Sequence, residues 1–392
     1  MQGSDDPCAT LVAFHTSEVN GLFSEGSRLG GAVILNINFK HLAVVCAVFC
    51  MSCALDLDDF PPSDQRAIPA TQPSEQRQFM RGMTISCPTY GQIWGSQHMI
   101  DTLSEVSALG VNWVSIHPYA QITTSGQVIF TPSNKLPYLE KAISHIEKKA
   151  LSLFLKPHLA YWGAFSWRGQ ISFETEAQWN QFFSDYGRFI LDQARLAQKH
   201  RVPFFAVGVE LDATVHRPEW TELIKKIRHV YKGELTYAAN WDRYQSVPFW
   251  GQLDAIGIQG YFPLRADHSD VTAGFKPDWT PIINPLVRFA RAHKRPLLFT
   301  EIGYARSRDA ANQPWKPDLD PSESAILLRE KLMTHALVRL QTVPEIRGLF
   351  WWKWIPGDER GNADFSMKDP EARAILLEHW RGSAKQPASE KK

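Results

Sequence analysis

Two glutamates end otherwise apolar segments of this chain. Glu210 follows Phe204-Phe205-Ala206-Val207-Gly208-Val209, and Glu301 follows Leu297-Leu298-Phe299-Thr300. A carboxylate at the end of a buried strand costs free energy unless it is paired or takes part in chemistry. Two facing carboxylates are the groups that hydrolyse glycosidic bonds, one protonated as a general acid and the other ionised. A separation of about 5 to 5.5 Å would give retention of configuration, and a wider gap would give inversion.

The alternative is that each glutamate is paired with a neighbouring cation such as Lys156 or Lys353. For a single glutamate at a strand end, that structural explanation is the more common one. Two carboxylates at one mouth, with aromatic residues around them, favour a catalytic function instead.

The segments that position these residues alternate between short apolar runs and longer runs of helical period, which is typical of a parallel sheet with helical connections. The predicted strands span Met83–Cys87, Val111–His117, Leu151–His158, Pro203–Glu210, Leu235–Asn240, Ala255–Tyr261, Pro296–Glu301 and Arg347–Trp352. The predicted helices span Gln97–Leu109, Leu136–Lys149, Thr175–His200, Pro218–Tyr231, a short one near Pro248–Leu253, Pro281–His293, Pro321–Thr342 and Pro370–Trp380. Thr175 and Ser322 are expected to cap two of them.

Eight such units predict an α/β protein with a single catalytic domain, a (β/α)8 TIM barrel over residues 80–381. A doubly wound open sheet is the structural rival. It would need a glycine-rich phosphate turn after its first strand, and Pro88-Thr89-Tyr90-Gly91-Gln92 lacks the required glycine spacing.

Chemistry in such barrels lies at the carboxyl ends of the strands. The residues predicted there are His117, His158, Glu210, Asn240, Gln259, Tyr261, Glu301 and Trp352. Seven of the 14 tryptophans also fall at strand ends or in the loops after strands: Trp94, Trp162, Trp167, Trp241, Trp315, Trp352 and Trp354. Because sugar rings stack their apolar faces on indole, Trp162, Trp167 and Trp315 are expected to bind substrate, whereas Trp351 and Trp354 are expected to pack.

A metal site is the less favoured use of the strand-end histidines. His117 and His158 could bind a metal with Glu210 or Asp212, but the sequence has no HExxH or comparable local pair. Both histidines are therefore expected to contact substrate. An acidic cluster after the eighth strand lacks EF-hand spacing and is interpreted as a solvated loop rather than a calcium site. It comprises Asp358, Glu359, Asn362 and Asp364. Neither a cofactor nor a metal is expected.

An apolar run at 42–55 precedes the barrel, with Lys40 before it. It is shorter than the ~20 residues that span a bilayer, and residues 35–55 have the pattern of a secretory signal. Because that pattern begins near residue 35, residues 1–34 are expected to be an over-extended start without structure. The proline-rich residues 56–79 predict a disordered tether, and residues 382–392 a disordered tail.

Four of the five cysteines lie in or before the apolar run, which leaves Cys87 in the remainder. The mature chain therefore has neither an intrachain disulfide nor a cysteine metal site. Cys50-Met51-Ser52-Cys53-Ala54 is similar to a bacterial lipoprotein processing site with Cys53 as the lipidated residue, and a plain cleaved signal is the equal alternative. Either predicts an exported protein that is periplasmic, on the outer surface, membrane-anchored or secreted.

The composition excludes two classes of protein. Lys and Arg total 42 against 41 Asp and Glu, so no excess of positive charge points to nucleic acid as a principal partner. A hydrophobic fraction of 44% excludes wholesale disorder. A monomer that acts on a polysaccharide or oligosaccharide is expected.

Short motifs along the whole barrel are similar to those of the retaining (β/α)8 glycosidases of clan A. More narrowly, the chain resembles glycoside hydrolase family 113, a group of β-mannanases. The stretches that carry the likeness are Arg81-Gly82-Met83-Thr84, Leu109-Gly110-Val111-Asn112-Trp113-Val114, Lys156-Pro157-His158, Val207-Gly208-Val209-Glu210-Leu211, Asn240-Trp241, Phe299-Thr300-Glu301-Ile302-Gly303-Tyr304 and Gly348-Leu349-Phe350-Trp351-Trp352-Lys353-Trp354.

The resemblance implies roles for four residues. It makes Glu210 the acid/base, Glu301 the nucleophile, Tyr261 the tyrosine that bonds the nucleophile and Trp352 the platform under the sugar being cleaved. Many clan members have Asn before the acid/base, where it contacts the sugar 2-hydroxyl, but this chain has Val209. Asn240 or His158 are the candidates to replace that contact.

These observations predict a retaining endo-type β-glycosidase that hydrolyses a β-mannan-like polysaccharide without a cofactor. Trp241 joins the expected substrate contacts because it follows the strand-end residue Asn240. The alternatives are a surface glycan-binding lipoprotein that kept the barrel but lost turnover, for which Val209 is the best argument, and a transglycosylating variant of the same site.

Overall fold

The computed structural model of the protein describes residues 78–264, 275–357 and 364–381. The predicted start, signal and tail, nearly all of the tether, and the lipidation candidate Cys53 lie outside the described residues. So do Asp358, Glu359 and Asn362 of the acidic cluster.

Eleven strands are present in the described part of the chain: β1 (Met80–Ile85), β2 (Trp113–Ile116), β3 (Tyr119–Ile122), β4 (Val128–Ile129), β5 (Ser152–Leu155), β6 (His158–Ala160), β7 (Phe204–Val209), β8 (Glu234–Asn240), β9 (Ile256–Gln259), β10 (Leu297–Ile302) and β11 (Ile346–Trp354). Eight of them close a parallel barrel in the order β1-β2-β5-β7-β8-β9-β10-β11, with β11 paired to β1. The predicted (β/α)8 barrel is therefore confirmed. Glu210 follows the fourth barrel strand, β7, and Glu301 lies near the end of the seventh, β10.

Seven α-helices lie between or after the barrel strands of the described residues: α1 (Gln97–Ala108), α2 (Pro137–Lys148), α3 (Glu176–Lys199), α4 (Glu219–Val230), α5 (Thr280–His293), α6 (Glu323–Leu340) and α7 (Pro370–Arg381). The short helix expected near Pro248–Leu253 is present as a 3-10 turn, Trp250–Gln252, and a second 3-10 turn, Tyr244–Ser246, precedes it between β8 and β9. Pro248 lies between them and lacks the N–H that a helix interior needs.

Both predicted caps are confirmed. Thr175 and Gln178 form a capping box at the start of α3, and the Ser322 hydroxyl accepts from Ala325 N–H at the start of α6. None of the helices in the described ranges is long and apolar enough to cross a membrane.

Two predicted strands are interrupted by proline. The second and third barrel strands end at Ile116 and Leu155, and the chain then passes through His117-Pro118 and Lys156-Pro157 into β3 and β6. Proline cannot donate to the barrel ladder, so pairing shifts at these points. The two continuations pair with each other in parallel, and β4 adds an antiparallel edge. This small sheet lies over the second and third strands at the carboxyl end of the barrel.

Apolar side chains fill the space on both sides of the barrel wall. A cluster inside the barrel consists of Met80, Phe154, Phe204, Ala206, Val209, Ala238, Ala255, Leu298 and Phe350. A larger cluster lies between the strands and the helices. With the interior closed by side chains, polar chemistry is confined to the strand ends.

Candidate active site

The turn after β7 positions Glu210. Its φ is +54°, a conformation that residues with a β-carbon rarely adopt. The Glu210 N–H donates to the Ala238 carbonyl at 2.8 Å, which holds the turn against β8. Val209, the residue where many clan members have asparagine, is 1% exposed and belongs to the cluster inside the barrel. Strained conformations such as that of Glu210 cluster at active sites, so its positive φ agrees with a function there.

An arginine from the loop after β6 holds the Glu210 carboxylate. Arg168 Nη1 donates to Glu210 Oε2 at 2.6 Å, and Arg168 Nε donates to the Leu159 carbonyl at 3.0 Å. The arginine side chain is 8% exposed, whereas 19% of the Glu210 side chain is accessible. Glu210 can therefore be reached from outside while its charge is partly compensated from within.

The electrostatic environment of Glu210 suits a general acid. Burial raises the pKa of its carboxyl to about 7, with smaller upward contributions from the charges of Glu301 and Asp212. Arg168 and Lys156 act in the opposite direction on that pKa. A carboxyl with a pKa near neutrality can donate a proton in one step and accept one in the next.

The second carboxylate, Glu301, lies deeper and has two partners. Lys156 Nζ donates to Glu301 Oε1, and the Tyr261 hydroxyl donates to Oε2 at 3.1 Å. Burial, followed by the charge of Glu301, raises the pKa of Tyr261 well above its usual range, so the hydroxyl stays a donor. Gly260 allows this approach, because a Cβ there would lie 2.4 Å from the Phe299 ring.

The cationic pairing proposed as the structural alternative exists for Glu301. Lys156 is fully buried, and its ammonium also donates to the Thr300 carbonyl at 3.1 Å. Lys353 instead pairs with Asp364 at 3.2 Å. Because both glutamates keep a cation at the mouth of the barrel, pairing alone does not separate a structural from a catalytic function. The difference between the two glutamates favours catalysis. Glu210 is partly accessible and its pKa is raised to about 7, whereas Glu301 is buried and fixed by Lys156 and Tyr261.

Aromatic rings surround the Glu301 side of the site. The Trp352 ring centroid lies 5.6 Å from Lys156 Nζ and 5.4 Å from the His117 ring. His117 is stacked on His158 with centroids 4.9 Å apart, and both rings are almost completely buried. Burial, then neighbouring positive charges including Arg168 and Lys156, lowers the pKa of each histidine well below its usual value. The neutral form of each histidine is therefore favoured, and both rings are buried, with His117 beside Trp352.

Asn240, at the end of β8, lies near the acid/base candidate. Its amide donates to Asp212 Oδ2 at 2.9 Å, and Asp212 lies two residues after Glu210 in the chain. Burial raises the pKa of Asp212 to about 6, an effect that the Asn240 hydrogen bond opposes. The assignment of Asn240 or His158 to the sugar 2-hydroxyl stays a prediction.

Two of the predicted substrate-binding tryptophans are exposed, and the other three, Trp167, Trp241 and Trp352, are partly buried. Trp315 is 45% exposed and stacks on Trp241 with centroids 5.8 Å apart. Trp162 is 39% exposed and lies against Tyr119 and Tyr161. These exposed indole faces could take a sugar ring.

Other tryptophans have structural roles. Trp94, placed at the substrate face by its position after the first strand, is fully buried and donates to the Ile85 carbonyl at 3.1 Å. That placement is corrected, because the 3-10 turn at Gln92–Gly95 carries the ring into the core. Trp351 and Trp354 are fully buried, as expected for packing residues.

Sequence reasoning missed Arg168 as a partner of Glu210. The residue stands between Trp167 and Gly169 in a loop, and nothing local marks its contact with a residue 42 positions away. The one available signal was an arginine among aromatic and small residues in the loop after the third strand. As for metals, the described residues contain no group of three or more His, Cys, Asp or Glu that could hold an ion.

Comparison with known proteins gives the family. The model of Glycoside Hydrolase Family 113 matches residues 61–367. AaManA, a GH113 β-mannanase from Alicyclobacillus acidocaldarius solved in complex with ManMIm, has 21% identity and a TM-score of 0.69, and the match covers 79% of this chain and 99% of that one.

A second solved structure, described as a complex of a GH113 β-1,4-mannanase, has 20% identity and a TM-score of 0.68 over 78% of this chain and 99% of that one. A GH5_18 protein from Bifidobacterium longum subsp. infantis has 14% identity and a TM-score of 0.54, with 78% and 79% covered. At these identities the likenesses show the fold alone. No curated protein sequence matches the chain. Because the family model matches well over half of the sequence, the chain belongs to glycoside hydrolase family 113 and is a glycoside hydrolase.

Proposed function

We propose that this protein is a retaining endo-type β-mannanase with Glu301 as nucleophile and Glu210 as acid/base. The observation that carries the proposal is the contrast between the two carboxylates. Glu301 is fixed by Lys156 and Tyr261 below the mouth, whereas Glu210 is partly accessible and its pKa is raised to about 7. One ionised and one protonated carboxyl is the combination that a retaining glycosidase needs.

In the first step a Glu301 carboxylate oxygen attacks the anomeric carbon as the bond to the leaving oxygen breaks. The proton of Glu210 passes to that oxygen, so the departing sugar leaves as an alcohol and Glu210 becomes a carboxylate. Arg168, at 2.6 Å from Glu210 Oε2, stabilises the charge that Glu210 then carries.

In the second step Glu210 removes a proton from a water molecule, whose oxygen attacks the anomeric carbon. The bond to Glu301 breaks, its electron pair returns to the carboxylate, and two inversions give net retention. Trp352, beside Lys156 and His117, is proposed as the platform under the reacting sugar.

The positions of the aromatic residues favour cleavage within a chain. Trp162 follows β6, the continuation of β5, while Trp241 follows β8. In the barrel β5 and β8 are the two neighbours of β7, which carries Glu210. Aromatic faces on both sides of the acid would hold sugar units on both sides of the bond to be cleaved. β-Mannan is proposed as the polymer because family 113 neighbours are described as β-mannanases.

The decisive experiment measures reducing-sugar release by the full chain from β-mannan, glucomannan, xylan, β-glucan and chitin. Release is expected on β-mannan, with a loss of about 10³-fold or more in Glu301→Gln and Glu210→Gln. Glu222→Gln, at an exposed glutamate that pairs with Lys225, is the matched control and should match wild type. Activity of Glu301→Gln near wild type would refute the nucleophile, and proton NMR of the first-formed anomer tests retention.

A glycan-binding protein without turnover is the second candidate, and the burial of Val209 inside the barrel is the observation that favours it. In that case none of the polymers would be cleaved, but one of them would retard the protein in an affinity gel. A transglycosylating variant would instead make longer oligosaccharides at high substrate concentration.

Export of the protein and lipidation of Cys53 are proposed from the sequence pattern at 35–55. Mass spectrometry of the amino terminus tests both. A diacylglyceryl adduct on Cys53 supports the anchor, cleavage without an adduct supports a plain signal, and peptides from residues 1–30 refute the over-extended start. Light scattering of the purified chain tests the expected monomer.

A further inference from the structure

Lys156 is the most deeply buried charge at the mouth of the barrel. Its backbone N–H donates to the Ile116 carbonyl at 3.0 Å where β5 ends, and the side chain is fully buried. The ammonium contacts Glu301 Oε1 and donates to the Thr300 carbonyl at 3.1 Å. One carboxylate and one carbonyl of the same strand, β10, thus hold it.

Glu301 is the carboxylate that this ammonium contacts, and the charge of Glu210 adds a smaller stabilisation from a greater distance. Glu210 bonds Arg168, and the remaining polar or charged neighbours are cations or neutral rings. The groups that face the Lys156–Glu301 pair from the surrounding elements are Glu210, Arg168, Lys353, His117, His158 and Tyr261. Burial lowers the pKa of Lys156, and the Glu301 charge opposes that shift. The state of the lysine is therefore tied to the charge of Glu301.

We propose that Lys156 is a positioning residue that acts in both steps of the reaction through Glu301. In the free enzyme it holds the buried Glu301 carboxylate in place through Oε1. In the glycosyl-enzyme, Glu301 has become a neutral ester and the negative charge has moved to Glu210, which bonds Arg168. Lys156 is then a buried cation without the carboxylate that it contacts, and it favours return of the electron pair to Glu301. This inference rests on the proposed function.

The atoms balance without any further reactant. When Glu301 bonds the anomeric carbon, its negative charge is used in the new bond, and the leaving oxygen takes the proton of Glu210. When water attacks, the bond between carbon and Glu301 breaks, Glu210 takes a proton from that water, and the ion pair forms again. A buried ammonium is far less stable alone than paired, so Lys156 raises the free energy of the intermediate relative to its products.

The simpler explanation is that Lys156 only ties β5 to β10 through Thr300 and Glu301. The two explanations differ in what they predict for the pH profile and for the intermediate. If Lys156 only links the two strands, its removal changes stability alone. If its charge acts through Glu301, removal also shifts the acid limb of kcat/KM and slows hydrolysis of the glycosyl-enzyme relative to its formation.

The test compares wild type, Lys156→Met and Lys156→Arg as full chains, on a dinitrophenyl β-mannobioside whose leaving group makes the first step fast. Lys156→Met removes the cation that contacts Glu301 Oε1. The acid limb of kcat/KM is therefore expected to move up by about one pH unit or more in Lys156→Met. Hydrolysis of the intermediate should slow about tenfold or more, so that intact mass of quenched enzyme shows accumulated glycosyl-enzyme. Lys156→Arg should keep the wild-type acid limb, and Lys225→Met, an exposed lysine, is the control.

An unmoved acid limb together with no accumulated glycosyl-enzyme in folded Lys156→Met would overturn the inference while leaving the proposed function intact. A wild-type enzyme that cleaves neither the mannobioside nor any polymer would overturn both. If Lys156→Met does not fold, wild type is trapped with a 2-deoxy-2-fluoro-β-mannosyl fluoride and its reactivation is followed against pH. Reactivation should fall at alkaline pH as the unpaired ammonium loses its proton, and a rate independent of pH there would overturn the inference.

Discussion

Lys156 and Arg168 both follow β5, the third strand of the barrel, and each contacts a different carboxylate of the candidate active site. Lys156 bonds Glu301, and Arg168 bonds Glu210 at 2.6 Å. The same connection from β5 to β7 therefore supplies the cation for both proposed catalytic groups. Because the loop also carries Trp162, one segment of the chain influences the charge of the site and its aromatic surface together.

The first prediction concerns the contribution of the Lys156–Glu301 pair to the free energy of unfolding of the protein. Lys156→Met and Glu301→Gln should each destabilise the protein by about 3 to 5 kcal/mol, because each leaves one buried charge without its partner. The double variant should be more stable than the sum of the two losses, since it buries neither charge. Urea unfolding of the four proteins measures this coupling.

The exposed pair Lys225–Glu222 provides the matched control cycle, and its coupling should be between about 0 and 1 kcal/mol. Additive losses in the Lys156–Glu301 cycle would show that the two side chains do not interact in solution as they do in the structure.

The second prediction concerns the alkaline limb of kcat/KM, which reports loss of the Glu210 proton. With the pKa of Glu210 raised to about 7, activity should fall as pH rises through neutrality. Arg168→Met removes a charge that lowers this pKa, so the limb should move to higher pH by about one unit. Profiles on an aryl β-mannobioside measure the shift.

Arg188→Met is the control for the arginine substitution, because Arg188 is 64% exposed and pairs with Asp185 on α3. Its alkaline limb should match wild type. A limb that moves down in Arg168→Met would contradict the assignment of the limb to Glu210.

The barrel and the positions of its two carboxylates could be predicted because both depend on local patterns. A charged residue that ends an apolar run is visible in the sequence, as at Val209-Glu210 and Thr300-Glu301. Helix starts at Thr175 and Ser322 were also visible, since a cap bonds a residue only three positions away.

Features that depend on distant segments could not be predicted in this way. The runs through Ile116-His117 and Leu155-Lys156 look continuous, and the break becomes clear only because β3 and β6 pair with each other. The role of Arg168 depends on the fold bringing its loop over β7. Trp94 was placed wrongly on the substrate face. Its position after a strand shows which end of the barrel it is near, but not that the following 3-10 turn directs its ring into the core.

The third prediction concerns Asp212, whose removal should shift the alkaline limb of kcat/KM in the direction opposite to the removal of Arg168. The Asp212 charge raises the pKa of Glu210, so Asp212→Asn should lower that pKa and move the alkaline limb to lower pH by less than about one unit. The substituted amide oxygen can still accept from Asn240, which preserves the 2.9 Å contact. An upward shift, or a shift equal to that of the exposed-residue control Asp101→Asn, would contradict the electrostatic role.

The fourth prediction separates binding from chemistry at the exposed tryptophans. Trp315→Ala and Trp162→Ala each remove an exposed indole face, 45% and 39% accessible. Loss of one stacking contact of about 0.5 to 1.5 kcal/mol should raise KM on long manno-oligosaccharides by about two- to tenfold, with a smaller effect on kcat. Short substrates that do not reach these rings should be cleaved as by wild type, because they never occupy the removed surface. Leu327→Ala, on the exposed side of α6, is the control and should leave both constants unchanged. Equal losses on short and long substrates would instead mean that the tryptophans support the fold of their loops, and would remove the argument that sugar units bind on both sides of Glu210.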